Sequence, residues 1–252
     1  MIVYKSRDEI QTMDRCNRIV LQILSELARQ VRPGVTTLDL DRTAERMCEE
    51  AGVRPAFKGY RGFPRVLCAS VNEEVVHGIP SDGKVLAEGD IVGLDFGVVL
   101  DGYFGDSAVT VPVGRISADA EKLLRVTRAS LMAGIEAARP GNRLSDISAS
   151  VQRRVESDGF SVVREFVGHG IGTALHEDPQ VPNYGEPGAG PVLKEGLVLA
   201  IEPMVNCGEP AVRVHSDGWT ASTVDGSLSA HFERSVAITA NGPFVLGGEL
   251  EA

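Results

Sequence analysis

Apolar side chains recur along residues 6–31 at Ile10, Met13, Val20, Leu21, Leu24 and Leu27, with Asn17 in the same series. That spacing predicts an amphipathic helix. Ser6, followed three residues later by Glu9, predicts a capping box at its start, and Pro33-Gly34 ends it. A second helix is predicted from Leu38 to about Glu50, stopped by Gly52. Residues 65–72 read as a strand. The segments 90–100 and 103–113 are apolar and β-branched on either side of Asp101-Gly102, a strong signal for a tight hairpin. Helices are predicted at about 118–138 and 144–158, and strands and loops from Val162 onward.

The pattern repeats. Residues 32–53 align without gaps to residues 139–160, an offset of 107, and seven of these 22 positions are identical, Arg32-Pro33-Gly34 and Arg139-Pro140-Gly141 among them. Ordinary composition would give roughly one or two matches. The same offset carries EGDIVGLDFG at 88–97 onto EGLVLAIEPM at 195–204 and places Asp95 on Glu202. The expectation is one domain over residues 1–252, built as two similar halves of about 1–114 and 115–252 packed face to face. The period is far too long for a solenoid.

Composition narrows the class. At 43% hydrophobic and 24% charged, the 252 residues belong to an ordered globular chain with a large core. The formal net charge of -10 argues against a protein that grips nucleic acid through its phosphates. No apolar run is long enough to span a membrane, and the N-terminus lacks a secretory pattern. Cys16, Cys48, Cys68 and Cys207 form no Cys-x-x-Cys pair and read as reduced thiols of a cytoplasmic protein.

The chemistry starts at the hairpin. A two-residue turn at Asp101-Gly102 makes Asp95 face Ala108 and Asp106 face Gly97, so both acids share one face of the sheet. Val92, Leu94, Phe96 and Val98 then point to the other face, where they can form a core. Two carboxylates crowded together repel unless a proton or a cation lies between them. The second half adds Glu202 in LVLAIEPM, Glu233 in SAHFERSVAIT and His169 in EFVGHGIG. Oxygen-rich donors with a single imidazole suit divalent Mn, Fe, Co or Zn, and four negative charges match two dications. His77 and His176 lie in turn-like segments nearby. DFG at 95–97 and Ser81-x-x-Lys84 lack the companion motifs of kinases and β-lactamases.

These motifs together resemble the type I methionine aminopeptidases of the M24 metallopeptidase family, from about Ile10 to the C-terminus. The resemblance implies an α+β pita-bread fold, with two halves related by a pseudo-twofold axis around a dimetal site. It implies that Asp95, Asp106, His169, Glu202 and Glu233 hold two divalent ions (Co, Mn, Fe or Zn). Glu202 would shuttle the proton of an activated water, His176 would stabilise the tetrahedral oxyanion and His77 would contact the scissile amide nitrogen. Tyr60, Phe63, Cys68, His77, His176 and Trp219 would line the substrate pocket. The expected substrate is a nascent polypeptide with an N-terminal methionine before a small residue. The resemblance further implies a cytoplasmic monomer, free to meet the ribosome transiently, with no membrane attachment and no sequence-specific nucleic-acid binding.

Glu202 and Glu233 are 31 residues apart, which leaves no room for the helical insertion of type II enzymes. The alternatives are a proline-specific peptidase of the same fold or a non-catalytic relative, which would have lost ligands. Four positions depart from the family's usual residues: Phe57 for cysteine, Leu175 for an aromatic, His231 for glutamine and Arg234 for histidine. Strand alternation puts His231 on the face of Glu233, within reach of the metal shell.

Overall fold

A computed structural model of the chain describes residues 1–248. Helix α1 spans Arg7–Gln30, and Ser6 and Glu9 cap it reciprocally. Helix α2 (Thr37–Ala51) ends at Gly52, whose φ of 66° lies in the left-handed region that a β-carbon disfavours. Helices α3 (Ala118–Ala137) and α4 (Leu144–Glu156) pack along each other. All four follow the apolar periodicity of the sequence. Among the described residues, no helix is long and apolar enough to cross a membrane.

Nine strands form the main sheet: β1 (Arg54–Pro55), β2 (Leu67–Val71), β3 (Ile91–Leu100), β4 (Tyr103–Pro112), β5 (Gly168–Gly170), β6 (Glu177–Val181), β7 (Val198–Ile201), β8 (Glu233–Thr239) and β9 (Gly242–Val245). Their order is β1-β3-β4-β8-β7-β5-β6, with β2 also paired to β3 and β9 to β8, antiparallel throughout. The sheet therefore crosses from one half of the chain to the other where β4 meets β8. Two three-stranded sheets flank it. One joins Ser161–Val162, Met204–Asn206 and Ser229–His231; the other joins Glu74–Val76, Val212–Val214 and Ala221–Thr223.

The β3–β4 hairpin turns as the sequence requires. Leu100 faces Tyr103, and Asp101 and Gly102 both take positive φ, 51° and 83°. That is the backbone of the tight turn whose twist matches the flanking strands. Below the hairpin, Val92, Leu94, Phe96 and Val98 join Val20 and Leu24 of α1 in one apolar core. Burial of each such large side chain is worth about 1.5–3 kcal/mol. The same core continues into the second half through Ile147, Leu199, Ile201 and Val236. This shared core fixes β4 against β8.

The internal repeat is built into the backbone. Thr36 bridges Val85, and Arg143 bridges Val192, each partner shifted by the same 107 positions. Gly34 donates to Leu86 O at 2.8 Å, and Gly141 to Leu193 O at 2.9 Å. Leu86 donates to Val35 O and Leu193 to Asn142 O, both at 2.8 Å. Gly34 and Gly141 turn with φ of 90° and 91°. The repeated Arg-Pro-Gly thus marks one turn used twice before equivalent helices. The four cysteines are free thiols, as their spacing predicted.

Candidate metal centre

Register brings the acids together. Cys68, Asp95, Ala108 and Glu233 stand opposite one another in a row across β2, β3, β4 and β8. Directly opposed residues share a face. Asp106 lies two positions before Ala108 and opposite Gly97, so it shares that face. A second row crosses β8, β7 and β5 through Ser235, Ala200 and His169. Ser235 is two residues after Glu233, and Glu202 two beyond Ala200, so His169 and Glu202 belong to the same side. Ala108, Ala200 and Gly97 are the small residues between them. Above them the side chains enclose a cavity of ≈ 200 Å³.

Two groups of ligand atoms converge within 4.8 Å: Asp106, His169 and Glu233, and Glu202, His231 and Glu233. Asp95 lines the same cavity but belongs to neither group. His169 Nε2 is 3.4 Å from Glu202 Oε1, and His231 Nε2 is 3.6 Å from Glu202 Oε2. His169 Nδ1 lies 2.9 Å from Gly170 O. A proton on Nδ1 makes that hydrogen bond and leaves the Nε2 lone pair toward the acids.

Three of the carboxyl groups keep an oxygen without a partner. Asp95 Oδ1, Asp106 Oδ1, Glu233 Oε1 and His231 Nε2 are buried without a hydrogen bond. Burial pushes Asp95 up to about 7. Burial, aided by the neighbouring acids, pushes Asp106 and Glu233 well above the carboxylate range, and burial does the same to Glu202. Burial also lowers His169 to about 3 and His77 to about 4, and it lowers His231. An unpaired buried ion costs several kcal/mol. Orphaned oxygens, mutual repulsion and an available imidazole nitrogen together fit divalent cations.

Every residue assigned to the substrate pocket from the sequence lines this cavity: Tyr60, Phe63, Cys68, His77, His176 and Trp219. Tyr60 Oη is 2.6 Å from His176 Nδ1, and the His176 ring centroid lies 4.3 Å from that of His169. Burial, with the nearby Arg61 charge, lowers the His176 pKa. His77 follows the strand Glu74–Val76 with φ of 59°, a strained conformation for a non-glycine residue. Its ring meets Phe166 edge-on at 5.4 Å and Trp219 at 6.1 Å.

Phe166 and Met204 also line the cavity and were not singled out in the sequence. Their signal was faint: Phe166 stands three residues before His169, and Met204 two after Glu202. Of the four departures, Phe57 and Leu175 line the cavity. His231 faces the acids, as alternation predicted. Arg234 turns away and donates to Leu246 O at 2.8 Å, holding the C-terminal segment. His215 lies elsewhere, with Nε2 2.7 Å from Ser222 Oγ.

Comparison with known proteins gives a consistent family. The family model described as Metallopeptidase family M24 matches residues 11–240. The chain is 54% identical over 246 residues to the methionine aminopeptidase of Clostridium acetobutylicum, covering 98% of both chains. The crystal structure of methionine aminopeptidase from Thermotoga maritima superposes with a TM-score of 0.97 at 49% identity, covering 99% of this chain and 100% of that one. The prolidase from Pyrococcus horikoshii shares the fold at a TM-score of 0.80 and 23% identity, covering all of this chain and 65% of its own.

Raised carboxyl pKa values make the metal-free fold sensitive to pH. The folded state holds carboxyl protons that the unfolded chain releases near pH 4, so the stability these carboxyl groups contribute is greatest below that point, while the histidines of lowered pKa oppose it below about pH 6.5. The carboxyl contribution falls as pH rises through about 7, where Asp95 ionises. In chelator, the urea midpoint is therefore lower at pH 8 than at pH 5.5, and Mn(II) raises it more at pH 8. Equal Mn(II) effects at both pH values would contradict the site.

Proposed function

The chain belongs to metallopeptidase family M24, and from that membership we propose how it removes methionine from the N-terminus of a polypeptide. The activity is that of a methionine aminopeptidase, a metal-dependent hydrolase. The observation that carries the site assignment is the convergence of Asp95, Asp106, His169, Glu202 and Glu233 on one cavity with orphaned carboxylate oxygens.

Asp106, His169, Glu202 and Glu233 would hold two divalent cations, with Asp95 completing one shell. Bound there, such cations would lower the pKa of a water and polarise the carbonyl of the first residue. Glu202, drawn toward its protonated form by burial, would accept a proton at a carboxylate oxygen and return it to the leaving amine. Tyr60 Oη lies 2.6 Å from His176 Nδ1; with the phenol as donor there, the remaining imidazole proton would sit on Nε2. A neutral imidazole in that tautomer is a donor suited to a developing oxyanion. His77, held uncharged, would hydrogen-bond the scissile amide. Metal identity among Co, Mn, Fe and Zn is left to the assay.

We assign the ≈ 200 Å³ cavity to the side chain of the first residue of the substrate. Tyr60, Phe63, Cys68 and Trp219 supply an apolar wall for an unbranched side chain. The substrates we assign are nascent-chain N-termini with a small second residue. A cytoplasmic monomer with a transient ribosome contact suits that role.

Met-Ala-Ser, Met-Lys-Ser and Ala-Pro-Ala, each assayed with Mn, Co, Fe and Zn, test this reading. Methionine is released from Met-Ala-Ser in a cation-dependent manner, and Asp106→Asn abolishes release while keeping the fold. Hydrolysis of Ala-Pro-Ala, or an active Asp106→Asn variant, would contradict it. His231→Gln weakens cation binding by about tenfold or more in calorimetry, the scale of outer-shell substitutions. Unchanged affinity would remove His231 from the site.

A further inference from the structure

The loop carrying His176 is braced by a charge pair to which the reaction assigns no part. Glu177, the next residue, folds its carboxylate back beneath the loop. Its Oε1 accepts the backbone N–H of Thr173 at 2.8 Å and of Ala174 at 3.3 Å. Its Oε2 is paired with Lys5 Nζ, and the two side chains are only 10% and 2% exposed. Lys5 comes from the segment that precedes α1 and is fixed in turn. Its ammonium donates to Val3 O at 3.1 Å, and its backbone N–H donates to Gly196 O at 2.7 Å.

The brace is tightly packed. A β-carbon on Gly172 would overlap Lys5 Cε and Glu177 Oε1, so a larger residue there would displace the ends of both side chains. Gly172 O accepts the Phe104 N–H at 2.8 Å, tying that end of the loop to β4. The far end is His176, whose imidazole is set between Tyr60 and the His169 ring. Buried opposite charges persist as a pair, because removing one leaves the other desolvated and alone. Without the Lys5 ammonium, the Glu177 carboxylate would turn toward water and release the two loop amides.

We propose that Lys5, acting through Glu177, is a positioning residue for His176: the segment before the first helix braces the loop that presents the imidazole to the cavity. The proposal rests on the role given to His176 above. It follows from the scale of positional effects, since a displacement of about 1 Å caused far from the chemistry can cost ~10²-fold in rate.

A kinetic double-mutant cycle on Met-Ala-Ser with saturating Mn(II) tests it. Lys5→Met lowers kcat by about tenfold or more, with Mn(II) affinity unchanged. In the His176→Ala background the same substitution changes kcat by less than about twofold, because its effect runs through the missing imidazole. Backbone amide exchange rises at Thr173 and Ala174 but not in β3. Should Lys5→Met not fold, Glu177→Gln enters the same cycle and gives the same pattern. An unchanged kcat in Lys5→Met, or an equal loss in both backgrounds, overturns the proposal and leaves the role of His176 standing. If His176→Ala alone retains full turnover, that role fails, and the brace has nothing to position.

Discussion

Four carboxyl groups withdrawn from water on one face of a sheet repel one another, and the surrounding protein offsets them only in part. Asp106 and Glu233 are almost fully buried, and each keeps an oxygen without a hydrogen bond. Among the described residues, Arg61 is the one arginine or lysine lining the cavity, and it lies with Tyr60 and His176 rather than among the acids. Charge of that density is tolerated only when protons or cations offset it. The fold is therefore destabilised at the place where its function needs a strong field, and dications bound there would relieve that strain.

The architecture answers this constraint with rigidity. Asp95 and Asp106 sit on a hairpin clamped by the α1 core, and Glu233 lies on the neighbouring strand. Glu202 comes from the position equivalent to Asp95 in the other half, and His169 from β5, which pairs with β7. Repeating one αβ unit gives each half an acid at the same strand position, Asp95 and Glu202, and the shared sheet brings them to one face. The groups proposed to touch substrate are placed differently. Tyr60, His77 and His176 lie in turns and loops, where the site is adjusted without moving the ligands. The Lys5–Glu177 pair shows that such a loop still needs support from a distant segment.

Much of this was legible in the sequence because it rests on periodicity and offset. The capping box at Ser6, the Asp101-Gly102 turn and the repeat at 107 residues are local signals, and each forced its own geometry. From the turn alone, the pairing of Asp95 with Ala108 and of Asp106 with Gly97 followed, as observed. The repeat and the acids set in apolar strands then supplied the candidates in the second half, and motif likeness supplied their roles. What stayed hidden was long-range. Phe166 and Met204 enter the cavity through the packing of short strands that carry little pattern. Nothing in the spacing of Lys5 and Glu177, 172 residues apart, marks them as partners. Arg234 sits beside Glu233 in sequence, yet strand alternation points it to Leu246.

The central claim is that the acids and the imidazole on this face hold divalent cations. Anomalous difference diffraction at the manganese edge, from crystals equilibrated with Mn(II), tests it most directly. The account predicts two peaks in the cavity, bounded by Asp95, Asp106, His169, Glu202 and Glu233. A map without peaks there, with those carboxyl groups bonded only to one another and to water, would contradict it.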